Sequence, residues 1–129
     1  MRIAVVIARI LMGVLFVVFG FNKIVPFLPM GMPGGEAGAM LLIMYTHKWL
    51  VFYGCVETAS GLMLLTGRFV PLGLTLLAGM LTNILLFGIT LAPKGLAPGL
   101  VAGVLEVFLV YAYRRSFAGI FAAKVEPTA

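Results

Sequence analysis

Charge is scarce in this chain of 129 residues. Lys, Arg, Asp and Glu together make up 10% of it, against roughly 25% in a soluble domain. Hydrophobic residues account for 63%. So few polar groups cannot cover a water-facing surface, which excludes a soluble globular enzyme and a disordered tail. Cysteine is nearly absent. Cys55 stands alone, so there is no internal disulfide, no CxxC redox pair and no iron–sulfur cluster. His47 is the only histidine, which excludes a haem held by two histidines. One His and one Cys at unrelated depths make no zinc site. No metal is expected, and any redox centre must be an organic cofactor or belong to a partner. The net charge is +5, yet the basic residues form no patch. They sit at the ends of apolar runs, as membrane topology signals do, so no nucleic acid partner is expected. Internal repeats and low-complexity tracts are also missing, which disfavours an inverted-repeat transporter.

What remains is a single-domain integral membrane protein. Four apolar segments carry it: Ile3 to Phe21, Trp49 to Thr66, Phe69 to Leu91 and Ala97 to Tyr113. Each is long enough to cross about 30 Å of hydrocarbon as a helix. Backbone polar groups in lipid must be satisfied within the segment, and no period-2 alternation favours strands. Arg9 interrupts the first run and no small-x-small site follows it, so a cleaved signal peptide is not expected. Gly67-Arg68 before Pro71 places a helix end and a helix start side by side. Pro93-Lys94-Gly95 and Pro98 make a second tight link. Short links force antiparallel neighbours, which predicts an all-α antiparallel four-helix bundle. Residues 22–48 form the one long connection. Pro26 to Gly35 cannot be regular helix. Glu36 to His47 lacks Pro and either extends the second helix or lies on the surface as an amphipathic piece. Arg2, Arg68, Arg114, Arg115 and Lys124 fall on one side, and Lys23, Lys48 and Lys94 on the other. That excess puts both termini in the cytoplasm, with residues 114–129 as a cytoplasmic tail.

Arg9, Glu57, Asn83 and Glu106 do not belong in hydrocarbon without a reason. The three ionisable ones could cost roughly 8–10 kcal/mol if charged and unpaired at mid-bilayer. They must face the interior and find partners. Glu57 lies eight residues after Trp49, Asn83 eight before Leu91, and Glu106 eight after Pro98. All three therefore sit about 12 Å below the outer boundary. Arg9, Gly13, Phe16, Gly20 and Lys23 share one stripe of the first helix. Tyr53, Glu57, Ser60 and Gly61 share a face of the second, and Cys55 points elsewhere. Gly99, Gly103 and Glu106 align on the fourth, where the two glycines form a small-xxx-small contact. Arg9 lies about 6 Å below the polar layer, so it either strains to reach a glutamate or snorkels to the interface. Two readings stay open for the glutamates: a structural polar core, or a cavity that takes a polar headgroup or relays protons. Asn83 is interhelical glue or a ligand donor. His47 and Lys48 beside Trp49 are boundary anchors, or His47 is a proton donor at a substrate mouth. Met30, Met32, Met40 and Met44 around the outer loop read as gap-fillers rather than as a Cu(I) site.

The motifs resemble a known family. Ala8-Arg9-Ile10-Leu11-Met12-Gly13 leading to Phe19-Gly20-Phe21-Asn22-Lys23 is similar to the first helix of the DoxX family. So are Glu57-Thr58-Ala59-Ser60-Gly61-Leu62 and Gly67-Arg68-Phe69-Val70-Pro71-Leu72. Asn83-Ile84-Leu85-Leu86-Phe87, Leu91-Ala92-Pro93 and Tyr113-Arg114 with Phe117-Ala118 continue the match. The resemblance implies a small four-helix membrane protein of the bacterial or archaeal cytoplasmic membrane. It places Arg9, Lys23, Glu57 and Asn83 at motif positions and Glu106 at a variable one. Some relatives carry His where this chain has Gly88. The family's name derives from a thiosulfate:quinone oxidoreductase, but this chain shows no sulfur-handling site.

The expected function is a membrane subunit serving a quinone-linked redox reaction. Glu57, Glu106 and Arg9 are the candidate catalytic residues. Asn83, Tyr53, Ser60, Lys23 and His47 are the candidate quinone-binding residues. The expected partners are the lipid bilayer and a redox protein or a second copy of the chain. The alternatives are a non-enzymatic scaffold for partner proteins and a small-solute transporter.

Overall fold

The computed structural model describes residues 1–27 and 33–128. Met30 and Met32 lie outside the described residues. Five α-helices form among the described residues: α1 (Arg2–Ile24), α2 (Gly35–Thr46), α3 (Trp49–Thr66), α4 (Val70–Thr90) and α5 (Ala97–Ala112). A 3-10 turn over Pro93–Gly95 links α4 to α5, and another over Arg114–Phe117 follows α5. The chain is all-α. Helices α1, α3 and α4 are long and apolar enough to cross a membrane. Helix α5 is apolar but has 16 residues, about 24 Å of rise.

The helix ends follow local chemistry. Gly67 closes α3 at φ +72°, a left-handed conformation that costs glycine nothing. Phe69 precedes α4 at φ +57°, and Pro71 occupies its first turn, where the missing N–H is no loss. Lys48, at φ +65°, breaks the chain between α2 and α3. Residues 36–47 therefore neither extend the span from Trp49 nor form an amphipathic surface piece. Residues 36–46 belong to a separate helix, capped by His47, with apolar groups all round, since Met40, Leu42, Ile43 and Tyr45 are exposed and Ala37 is buried.

Packing links α1 to α3, α3 to α4, α4 to α5 and α5 back to α1, which closes a ring; α2 leans on α3. Met12, Leu64, Leu74, Leu77 and Leu109 are fully buried inside it. The outward faces stay apolar. Val104 and Val107 are 70% and 71% exposed, which suits a lipid environment and would be a liability in water.

The closest helix approach is between α1 and α3. A Cβ on Gly13 would lie 2.9 Å from the Gly61 carbonyl oxygen, and one on Gly61 2.8 Å from the Gly13 carbonyl oxygen. A Cβ on Gly54 would similarly strike the Gly20 carbonyl oxygen at 2.5 Å. These four glycines let two antiparallel backbones touch. The contact expected at Gly99 and Gly103 is looser. A Cβ on Gly99 would meet only the side chains of Ile84 and Leu85, and one on Gly103 would lie 3.7 Å from Leu85.

A lined cavity with a buried ion pair

The glycine contact determines what sits beside it. With no side chain on Gly20, Glu57 fits against α1, because a Cβ there would lie 2.8 Å from the Glu57 Cβ. One turn beyond Gly20, Lys23 reaches across. Its Nζ donates to Glu57 Oε2 at 2.7 Å, the one ion pair among the described residues. Glu57 is 1% exposed and Lys23 27%. The carboxylate is thus sealed in, while the ammonium keeps an open side. Arg9, the cation that the sequence leaves free to strain toward a glutamate or to snorkel, is not the partner of Glu57. The structure gives Glu57 to Lys23.

The pair lines a cavity of about 310 Å³ bounded by α1, α2, α3 and α4. Asn83 and Thr90 of α4 and Tyr53 of α3 add polar groups to walls that are otherwise apolar. Met40 and Met44, one turn apart on α2, face the cavity with Met80 of α4. Asn83 is exposed, and its amide makes one long bond, Nδ2 to the Gly79 carbonyl oxygen at 3.4 Å. A second, more open hollow of about 320 Å³ lies over Lys48, Trp49, Phe52 and Tyr53. It is almost wholly apolar at its surface, and Tyr53 borders both spaces.

Four sequence-predicted site residues, Lys23, Tyr53, Glu57 and Asn83, line the same cavity, and four others do not. Glu106 is buried at 7% exposure, with neither carboxyl oxygen hydrogen-bonded among the described residues. No residue of α5 lines the cavity. Of the three polar residues expected at one depth, Glu57 and Asn83 therefore share a cavity and Glu106 stands outside it. Equal depth on three helices does not fix the direction in which each side chain points. Ser60 is fully buried, and its hydroxyl has no hydrogen-bond partner among the described residues. His47 is exposed at the end of α2. Cys55 is exposed.

Arg9 lies at the far end of α3. Its guanidinium packs against Gly67, ten residues and about 15 Å of helix from Glu57. Helix C-termini carry partial negative charge and unpaired carbonyls, so a cation there stabilises the end of α3. That placement sets Arg9 apart from the residues that line the cavity.

The sequence reading missed the contribution of α2, which supplies Met40, Leu41 and Met44 to the wall. The available signal was the proline-free run after Glu36. In comparisons with known proteins, no family model, curated protein or solved structure matches the chain.

Proposed function

We propose that this protein is a DoxX-like subunit of the bacterial or archaeal cytoplasmic membrane that binds a quinone or a similar lipophilic carbonyl compound. In this reading α1, α3, α4 and α5 form an antiparallel four-helix bundle with both termini in the cytoplasm. The observation that carries the binding proposal is the cavity itself: a largely apolar space whose wall holds a buried ion pair and an exposed amide. Small-molecule sites have this mix, a mostly apolar lining with a few placed polar groups, at about 300–1,000 Å³. At 310 Å³ the cavity is at the small end of that range and suits one ring, with an isoprenoid tail running out between helices.

The residues fit such a ring. Lys23 carries three N–H donors and gives one to Glu57, which leaves donors for a ligand oxygen. Asn83 offers its amide from α4 in the wall of the same cavity. Met40, Met44 and Met80 supply polarisable contacts to a ring edge. A bound quinone supplies the capacity to accept two electrons and two protons. The chain's own part is to orient the carbonyls, exclude water and place Lys23 and Glu57 beside them as a proton-handling pair. Electrons come from a partner protein.

The test is thermal melting of the purified chain in mild detergent with a short-chain quinone. Wild type should melt higher with quinone, and Asn83→Leu should lose most of that shift while melting normally without it. No shift in wild type, or an undiminished shift in Asn83→Leu, contradicts the proposal.

A further inference from the structure

The end of the molecule opposite the cavity is built for charge. Arg2, Arg68, Arg114, Arg115 and Lys124 are all exposed. Arg9 is part-buried against Gly67 in the same region. Of the four acidic residues, Glu126 alone belongs to this end; Glu36 is in α2, and Glu57 and Glu106 lie mid-helix. A bare excess of arginine would only report topology, but here two of the arginines ride on an anchored turn. Phe117 is buried at 5% exposure in the same core cluster as Ala8 and Val70. That anchor pins the 3-10 turn, so Arg114 and Arg115 stay on the bundle end instead of trailing in a tail. Arg114 stacks over the Tyr111 ring at 4.5 Å and donates from Nη1 to the Tyr111 carbonyl oxygen at 3.0 Å.

Apolar groups alternate with these cations. Phe69 follows Arg68 directly, is 71% exposed, and holds a left-handed φ of +57° that a bulky residue adopts at a cost. Phe121 is 75% exposed and Ile120 66%. Exposed aromatic and aliphatic groups within a few residues of these arginines match the boundary between acyl chains and phosphates. From this geometry we infer that the arginine-rich end is a binding surface for anionic phospholipid, with phosphodiester headgroups paired to Arg68, Arg114 and Arg115. The inference rests on the chain spanning a membrane and not on the identity of the cavity ligand.

Native mass spectrometry of the full chain in mild detergent, with phosphatidylglycerol or phosphatidylcholine added, tests it. Phosphatidylglycerol should bind more tightly. Each arginine neutralised among Arg68→Gln, Arg114→Gln and Arg115→Gln should weaken it about fivefold, and the triple variant about a hundredfold. Lys48→Gln, at the other end, should change nothing. Raising ammonium acetate from 50 to 500 mM should weaken the wild-type adducts, which keeps the test decisive if the triple variant does not fold. Millimolar inorganic phosphate should not displace the lipid, because the exposed Phe69 and Phe121 contribute through acyl chains. Equal binding of the two lipids, an unaffected triple variant, salt-insensitive adducts or displacement by phosphate overturns the inference. Asn83→Leu, which should lose quinone binding, should keep its phosphatidylglycerol adducts, so the two proposals fail separately.

Discussion

Replacing Lys23 with Met should be among the most damaging single changes in the protein. The substitution keeps most of the side-chain volume and removes the cation that sits 2.7 Å from Glu57 Oε2. Glu57 is 1% exposed, so water cannot take over the role of Lys23. Breaking a buried pair by removing one partner costs about 3–5 kcal/mol. Because Lys23 keeps an open side, the lower end applies, about 3 kcal/mol. For a chain of this size that lowers the melting midpoint by about 10 °C. The double variant Lys23→Met with Glu57→Leu removes both charges and should recover to within about 1 kcal/mol of wild type, since apolar replacement of a buried pair is often neutral. The coupling from the full cycle should then reach about 2 kcal/mol or more. Melting of all four proteins in one detergent, followed by far-ultraviolet circular dichroism, supplies the numbers. A single variant within about 0.5 kcal/mol of wild type, or a double variant no better than the worse single, would refute the pairing and with it the polar wall of the cavity.

Four further outcomes are expected. Gly61→Ala should destabilise by about 1–3 kcal/mol, because its new methyl meets the Gly13 backbone at 2.8 Å. Gly79→Ala, with open space around the added carbon, should be neutral or stabilise by up to about 1 kcal/mol through helix propensity; equal melting midpoints for the two variants would contradict the α1–α3 contact. Glu106→Leu should raise stability by about 1–3 kcal/mol, since it removes a buried carboxyl with no partner among the described residues; a lower midpoint would mean that the carboxyl is satisfied in the membrane. Gly67→Ala should lower stability by about 1 kcal/mol or more, from its positive φ and the Arg9 guanidinium packed on it, and a midpoint unchanged from wild type would count against that end cap.

Helix positions were legible in the sequence because lipid imposes a single solution. The span Trp49–Thr66 is bounded as expected, and the start of α4 follows from Gly67 and Pro71. Depth can be counted from the sequence, since rise per residue is constant. Rotation about each helix axis cannot. Glu57, Asn83 and Glu106 share a height by counting, yet Glu57 and Asn83 face one cavity and Glu106 does not. The Gly13, Gly20, Lys23 stripe on α1 was visible. Its counterpart was not, because every helix here is rich in glycine, and only the three-dimensional fit selects Gly54 and Gly61 over Gly99 and Gly103. The segment of α2 is recognisable as proline-free, but its place in the cavity wall is not, for a related reason. Its apolar residues have no preferred face, so periodicity gives no signal.

A photoreactive quinone analogue distinguishes the proposed cavity from every other surface of the bundle. After irradiation and peptide mapping, the label should fall on α2 around Met40 and Met44 and on α4 between Met80 and Thr90, and unlabelled quinone should prevent it. Label on α5, or label that excess quinone does not suppress, would show that the space walled by Lys23, Glu57 and Asn83 is not where a lipophilic carbonyl binds.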